Sequence, residues 1–394
     1  MTFAANISRL VFSTGVSHDL ENLVRLYGWT ASAVLLSLTS LALHFYRRQH
    51  RTTVHSPTSS VAVKSHSTIS AIITPQPGDV RVSKILIHPI KSCRGISVPM
   101  AKYTPEGLEN DRIWSIMDAT KLKILTAREV PKMVLITPSI ERDGALKVDF
   151  PESSGCEPFS VSLLPTEEMF QSWTLLPEIE MWPTHAPMDG YICESLTGPR
   201  GTASATLSKY FGKPVHLVRK GRKPRRIDPT VTFPELDATA KYQDMYPLLV
   251  LSEESTVAVD TELRKHVGSQ GIAENWSVDN VPIERFRPNI VFRGGGPFAE
   301  DNWEEISIGS ERSPSITLVS KCTRCLLPNV SPETGERDSA VPFKVLMKFR
   351  TGIDPTHKLK PCVGCNGVPS RSGSVSVGDW VYVKKMITGQ MKSS

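Results

Sequence analysis

Apolar positions along this chain follow three patterns. From Tyr27 to Tyr46 there is no Asp, Glu, Lys or Arg, and about 20 such residues at about 1.5 Å each span the hydrocarbon core of a bilayer. Tyr27, Trp29, Phe45 and Tyr46 cluster at its ends and Arg47, Arg48 and Arg51 follow, which predicts a retained single-pass anchor with the C-terminal part on the cytosolic side. A cleaved signal would have basic residues ahead of a shorter apolar core, but Asp19 and Glu21 stand there. Residues 47–79 are rich in Ser, Thr and His and end in Pro75-Gln76-Pro77-Gly78, a composition that cannot bury enough apolar surface to fold and reads as a flexible tether.

Beyond residue 80 the period shortens. Ser83–Ile90, Arg112–Met117, Met133–Ile136 and Leu146–Phe150 predict strands, the last two flanking the turn signal Asp143-Gly144. A helix is predicted over Ala203–Phe211, stopped by Gly212, and another from the N-cap Ser252 to about Val267, closed by Gly268. Leu248–Leu251, Asn289–Phe292, Ile316–Val319 and Gly378–Val383 predict strands, and Val341–Arg350 is helix-like. The expectation is an α+β protein: a tail at 1–26, the anchor at 27–46, the linker at 47–79, a β-rich domain at 80–215, a second domain at 216–385 and a tail at 386–394.

With 394 residues there is room for two ordinary domains, and seven cysteines, an odd number, argue against a secreted disulfide framework. A net charge of +6 suits an anionic ligand or acidic partner but is too small and too spread to indicate nucleic acid.

The candidate chemistry centres on Cys322-Thr323-Arg324-Cys325. A guanidinium beside a thiol lowers its pKa, so Arg324 is expected to keep Cys325 ionised, ready to bind a soft metal or to react. A second C-x-x-C at Cys362 and Cys365 opens the rival reading of a four-thiolate zinc site, although the gap between the pairs exceeds that of a compact zinc ribbon. Arg219-Lys220-Gly221-Arg222-Lys223-Pro224-Arg225-Arg226 reads as a solvated face, an anion-binding loop or a docking patch. Gly294-Gly295-Gly296 precedes no helix and reads as a loop.

Seven short motifs occur in a telling order: Lys91-Ser92-Cys93-Arg94-Gly95, Asp111-Arg112-Ile113-Trp114, Thr126-Ala127-Arg128, Phe286-Arg287-Pro288-Asn289, Ala299–Trp303, Cys322–Cys325 and Pro332–Gly335. In that order they resemble the MOSC family, most of all its amidoxime-reducing members. The resemblance implies a MOSC-type β-barrel domain behind a β-rich N-terminal subdomain, and a molybdenum ion held by a pyranopterin with Cys325 as protein ligand. It implies that Lys91, Ser92, Arg112, Arg287, Asn289, Thr323 and Arg324 hold the pterin and its phosphate, and that Asp244 joins Cys325 at the reacting centre. At family level only, pyridoxal phosphate binding is also implied. The implied activity is reduction of small N-hydroxylated substrates with electrons from a cytochrome b5-type donor and its flavin reductase. The implied location is the outer mitochondrial membrane facing the cytosol, with the endoplasmic reticulum as the alternative. Where the family tends to carry small hydroxyl residues after this Asp, the chain has Met245 and Tyr246. A cofactor or sulfur carrier without turnover, and a zinc-stabilised membrane adaptor, remain open readings.

Overall fold

The computed structural model describes residues 80–387. Its frame is an eight-stranded sheet in the spatial order Ile96–Val98, Arg81–Ile87, Ile290–Arg293, Leu248–Ser252, Cys362–Pro369, Ser315–Thr323, Trp303–Ile308, Val381–Met386. All neighbours run antiparallel except Leu248–Ser252 and Ile290–Arg293. The sheet curls until its ends meet: Val82 N donates to Asp379 O (2.9 Å), Val381 N to Val80 O (2.8 Å), and the Arg81 guanidinium stacks on Trp380. These contacts cover the free side of the start of Arg81–Ile87, and the short strand Ile96–Val98 remains the terminal strand.

Alternation sets what each face buries. Val250, Ile290, Cys365 and Ile306 point into the curl with Phe292 and Trp303. Leu251, Val291 and Val363 point outward and are covered by the helix Glu253–Arg264, the helix Phe343–Phe349 and Trp276. With both faces covered, all eight residues of Cys362–Pro369 are buried, as expected of a central strand. A second, five-stranded sheet orders Leu175–Ile179, Met188–Ile192, Val215–Lys220, Trp114–Asp118 and Lys123–Ile124. Its apolar core gathers Trp114, Ile116 and Leu217 with the helix residues Ala203 and Leu207.

Several expectations need correction. Among the described residues no helix is long and apolar enough to cross a membrane. The anchor at 27–46 lies outside the described residues, as do the tail 1–26, the tether 47–79 and residues 388–394. The transmembrane part of the fold reading, and the single-pass mitochondrial or reticular location built on it, are therefore set aside. The body is also less helical than α+β suggests: strands dominate, and the α-helices among the described residues hold only 6, 10, 12 and 7 residues. Met133–Ile136 is not a strand: Met133–Leu135 belong to a 3-10 turn, Pro131–Leu135, with Ile136 its extended cap, because Pro131 fits a first helical position and has no ladder donor. The hairpin around Asp143-Gly144 uses Thr137–Ile140 instead. Ser252 precedes its helix but does not cap it, since its hydroxyl is taken by the buried Glu300 carboxylate.

Candidate active site

Three loops and two strand ends build one cleft. Lys91 and Ser92 follow the first strand, Arg112 leads into Trp114–Asp118, Asp244 precedes Leu248–Ser252, Arg287 and Asn289 lead into Ile290–Arg293, and Thr323, Arg324 and Cys325 end Ser315–Thr323. All nine residues singled out in the sequence line this cleft, whose open volume is about 110 Å3.

Three of them hold left-handed backbone without being glycine: Ser92 (φ 67°), Arg112 (φ 50°) and Arg287 (φ 56°). Such conformations cost about 1 to 3 kcal/mol each and concentrate at functional sites. At Arg287 the following Pro288 disfavours the right-handed alternative, and the Arg287 N–H closes the preceding turn on Glu284 O (3.0 Å). Arg112 is clamped by its N–H to His88 O (2.8 Å) and by Tyr242 N–H to its own carbonyl (3.1 Å).

The charges are arranged in two pairs. Arg112 Nη1 donates to both oxygens of Asp111 at 2.8 Å, and Asp111 also accepts the backbone N–H of His88 at 2.8 Å. Burial alone would raise the Asp111 pKa, but the Arg112 guanidinium and His88 hold it well below the usual carboxylate range. His88 is pushed well below its ordinary value by burial and by the facing Arg112 and Arg287. In the second pair Lys91 Nζ contacts the Asp244 carboxylate and donates to Tyr242 O at 2.8 Å. Burial pulls Lys91 down to about 8 against the upward pull of Asp244. Desolvation by the cleft walls would raise Asp244, but the Lys91 ammonium, then Arg128 and Arg112, keep it ionised.

The thiols do not sit as the sequence implied. Arg324 Nη1 donates to Cys322 Sγ at 3.0 Å, not to Cys325. In extended backbone residues i and i+2 share a face and neighbours do not, so the strand ending at Thr323 sets Arg324 beside Cys322. Burial raises the Cys322 thiol, opposed by Arg324. Cys325 is half-buried in the cleft. The four-thiolate zinc reading finds no support: Cys365 Sγ points to Glu300 O (3.2 Å) and Cys362 Sγ to Lys360 O (3.8 Å). Among the described residues no group of three or more His, Cys, Asp or Glu could hold a metal ion.

Asn289 is largely committed to the fold, bridging Leu249 N–H (3.1 Å) and Leu86 O (3.3 Å) while accepting from Arg112 (3.3 Å). Arg287 and Arg324 are not fully committed. Arg287 Nη1 reaches Cys93 O and Arg324 Nη2 reaches Phe286 O, yet Arg287 Nη2 and Arg324 Nε are buried without a partner. A buried unpaired donor costs about 1 to 3 kcal/mol, so these atoms await an acceptor.

Asp111, His88 and Gln243 were not singled out individually, although they shape the cleft. Gln243 is buried, accepts Lys241 N–H and donates to Glu106 O, fixing the turn that presents Asp244. No local motif marks it. Arg225, taken from the basic run, does similar work by donating to Lys241 O (2.8 Å) and Gln243 O (2.9 Å).

Comparison with known proteins agrees with this layout. Residues 79–188 match the MOSC N-terminal beta barrel domain and residues 237–382 match the MOSC domain. Mitochondrial amidoxime reducing component 2 of Rattus norvegicus is 30% identical over 310 residues, covering 76% of this chain and 82% of that protein. The Homo sapiens component 2 is 29% identical over 309 residues, with 76% and 82% covered. Component 1 of Homo sapiens is 30% identical over 318 residues, with 77% and 82% covered. Both domain matches and this breadth of likeness lead to one assignment: the chain belongs to the MOSC-domain family, with the mitochondrial amidoxime-reducing components among its relatives.

Proposed function

We propose that this chain is a molybdenum cofactor-dependent oxidoreductase that reduces N-hydroxylated compounds, amidoximes and hydroxylamines, to the parent amidine or amine and water. The observation that carries the reading is the convergence of Lys91, Arg112, Arg287 and Arg324 on one cleft that Cys325 also lines, with one nitrogen each of Arg287 and Arg324 buried and unpaired. An anionic phosphate would satisfy those donors through charge-assisted hydrogen bonds, and a soft thiolate suits molybdenum. Ser92, Asn289 and Thr323 complete the wall.

When bound, the molybdenum cofactor supplies the two-electron chemistry that removes the oxygen of the N–O bond. The chain's own part is positioning and proton supply. Removing that oxygen as water consumes two protons with the two electrons, and Lys91 Nζ, brought to about 8, carries a proton near neutral pH that it can release. Asp244, ionised by Lys91 and open to the cleft, accepts a hydrogen bond from the substrate N–H or O–H. Electrons come from an external donor of the cytochrome b5 type with its flavin reductase.

The test is amidine formation from an aromatic amidoxime by the purified protein with its cofactor and a small chemical reductant. Turnover that disappears in Asp244→Asn is expected. Cofactor retained without any turnover would contradict the proposal and leave a carrier.

A further inference from the structure

Two pieces of the sequence motifs are not used by the cleft: Arg94 of Lys91–Gly95, and the turn Pro332–Gly335. They meet at a separate cavity of about 270 Å3, on which Arg94, Arg285 and Arg287 converge. We infer that this cavity is a binding site for a small aliphatic carboxylate, its head held by the arginines and its body by Leu86, Val134, Leu327 and Val330. The inference does not depend on the proposed reduction.

Local backbone brings the arginines together. Ile96–Val98 turns back antiparallel on Arg81–Ile87, and Gly95 at its start lies against the His88 ring, where a Cβ would come within 2.7 Å of Nε2. A side chain at that position would push the ring away, so glycine keeps the turn tight and Arg94 over the cavity. Arg94 Nη2 then donates to Pro332 O and ties the two motifs to each other. From the opposite wall the 3-10 turn Ile283–Phe286 presents Arg285, which is only 9% exposed and lies 5.3 Å from the Trp276 ring.

Charge decides the head. All three arginines stay cationic, and each donates only to a neutral carbonyl: Arg94 to Pro332 O, Arg285 Nη1 to Pro328 O (3.5 Å) and Arg287 Nη1 to Cys93 O (2.7 Å). Arg94 Nε and Arg285 Nε are buried without a partner, and neither residue lines the cleft. Of the acids at the cavity, Glu284 is paired with Lys84 at 2.6 Å, and Glu333 stands exposed at the rim, accepting from the Ser331 hydroxyl at 3.0 Å. Behind the wall Asp111 is paired with Arg112. The charge left facing a ligand is positive, and a guanidinium fork matches a carboxylate. The remaining wall is aliphatic, with no Phe, Tyr or Trp in it, and an inorganic anion would leave it uncovered.

Isovalerate tests head and body together, compared by calorimetry on the purified full chain with its neutral amide, with acetate and with inorganic phosphate. Isovalerate is expected to bind at least tenfold tighter than isovaleramide, acetate or phosphate. Arg94→Gln should weaken it at least fivefold. Glu333→Gln, which removes the opposing charge at the rim, should tighten it at least twofold. Thermal unfolding of both variants is measured alongside, and if Arg94→Gln fails to fold, the sign of the Glu333→Gln change decides. No binding of isovalerate, an amide that binds as well as the acid, phosphate that binds as tightly, or an affinity unmoved in the variants overturns the inference.

Discussion

Two regions of this molecule are rich in guanidinium and ammonium groups, and they use them in opposite ways. In the basic run 219–226 most of the cations are taken up by the fold, although Arg219 Nε is buried without a partner. Arg219 stacks between Trp114 and Phe170, Lys220 is buried on Asp189, and Arg225 is buried on two carbonyls. Of the exposed members Arg222 pairs with Glu167 and Arg226 with Asp237. In the cleft, by contrast, Arg287 and Arg324 keep buried nitrogens without a partner. An unpaired buried donor does not by itself mark a ligand site, since Arg219 Nε is one as well; what sets the cleft apart is that two of them converge with Lys91 and Arg112 on one cavity.

Exchanging one arginine from each region breaks the comparison most sharply. Arg225→Gln strips charged donors from Lys241 O and Gln243 O and should cost about 2 to 3 kcal/mol in denaturant unfolding. Arg287→Gln should change stability by no more than about 1 kcal/mol, because it removes a buried cation that already lacks one partner, while cofactor retention falls at least tenfold. The reverse pattern would mean that the cleft arginine is structural and the basic run binds the ligand.

A smaller effect separates the Lys91–Asp244 pair from an ordinary ion pair. With Lys91 brought to about 8, turnover should fall above that pH by up to about tenfold per unit as the ammonium is lost, and Lys91→Gln should be slower and lack that limb. The sign for stability is opposite. The folded value lies below the ordinary 10.5, so the unfolded chain binds more protons between the two, and stability rises as pH climbs from about 8 to 10.5. A turnover profile that keeps the same limb in Lys91→Gln would assign it to another group.

The smallest effect belongs to the exposed charges. Reversing Arg222, Lys223 and Arg226 to Glu should cost no more than about 1 kcal/mol of stability. It should change turnover with a cytochrome donor less than about twofold at physiological salt, where exposed charges are screened over about 8 Å. A tenfold loss confined to the cytochrome assay would show that the run docks the donor despite its internal pairing.

Eight of the nine cleft residues lie in the short motifs of the sequence, and three of them, Ser92, Arg112 and Arg287, hold left-handed backbone, whereas Asp244 lies in no motif. Their partners were harder to see. Asp111 lies next to Arg112, but its contact with His88 N–H spans 23 residues, and Lys91 meets Asp244 across 153. The Arg324 error arose from adjacency, since extended backbone separates neighbours and joins Cys322 to Arg324. The strands of the large sheet could be read from their period, but its closure through Val80, Val82 and Trp380 joins residues about 300 apart and leaves no local trace.

Molybdenum and pterin content of the purified protein tests the central claim most directly, measured for the unaltered chain, Cys325→Ala and Cys322→Ala. The account predicts molybdenum with pterin in the unaltered chain, near-complete loss of metal in Cys325→Ala, and most of it kept in Cys322→Ala. Zinc in place of molybdenum, or equal loss from both variants, would contradict it.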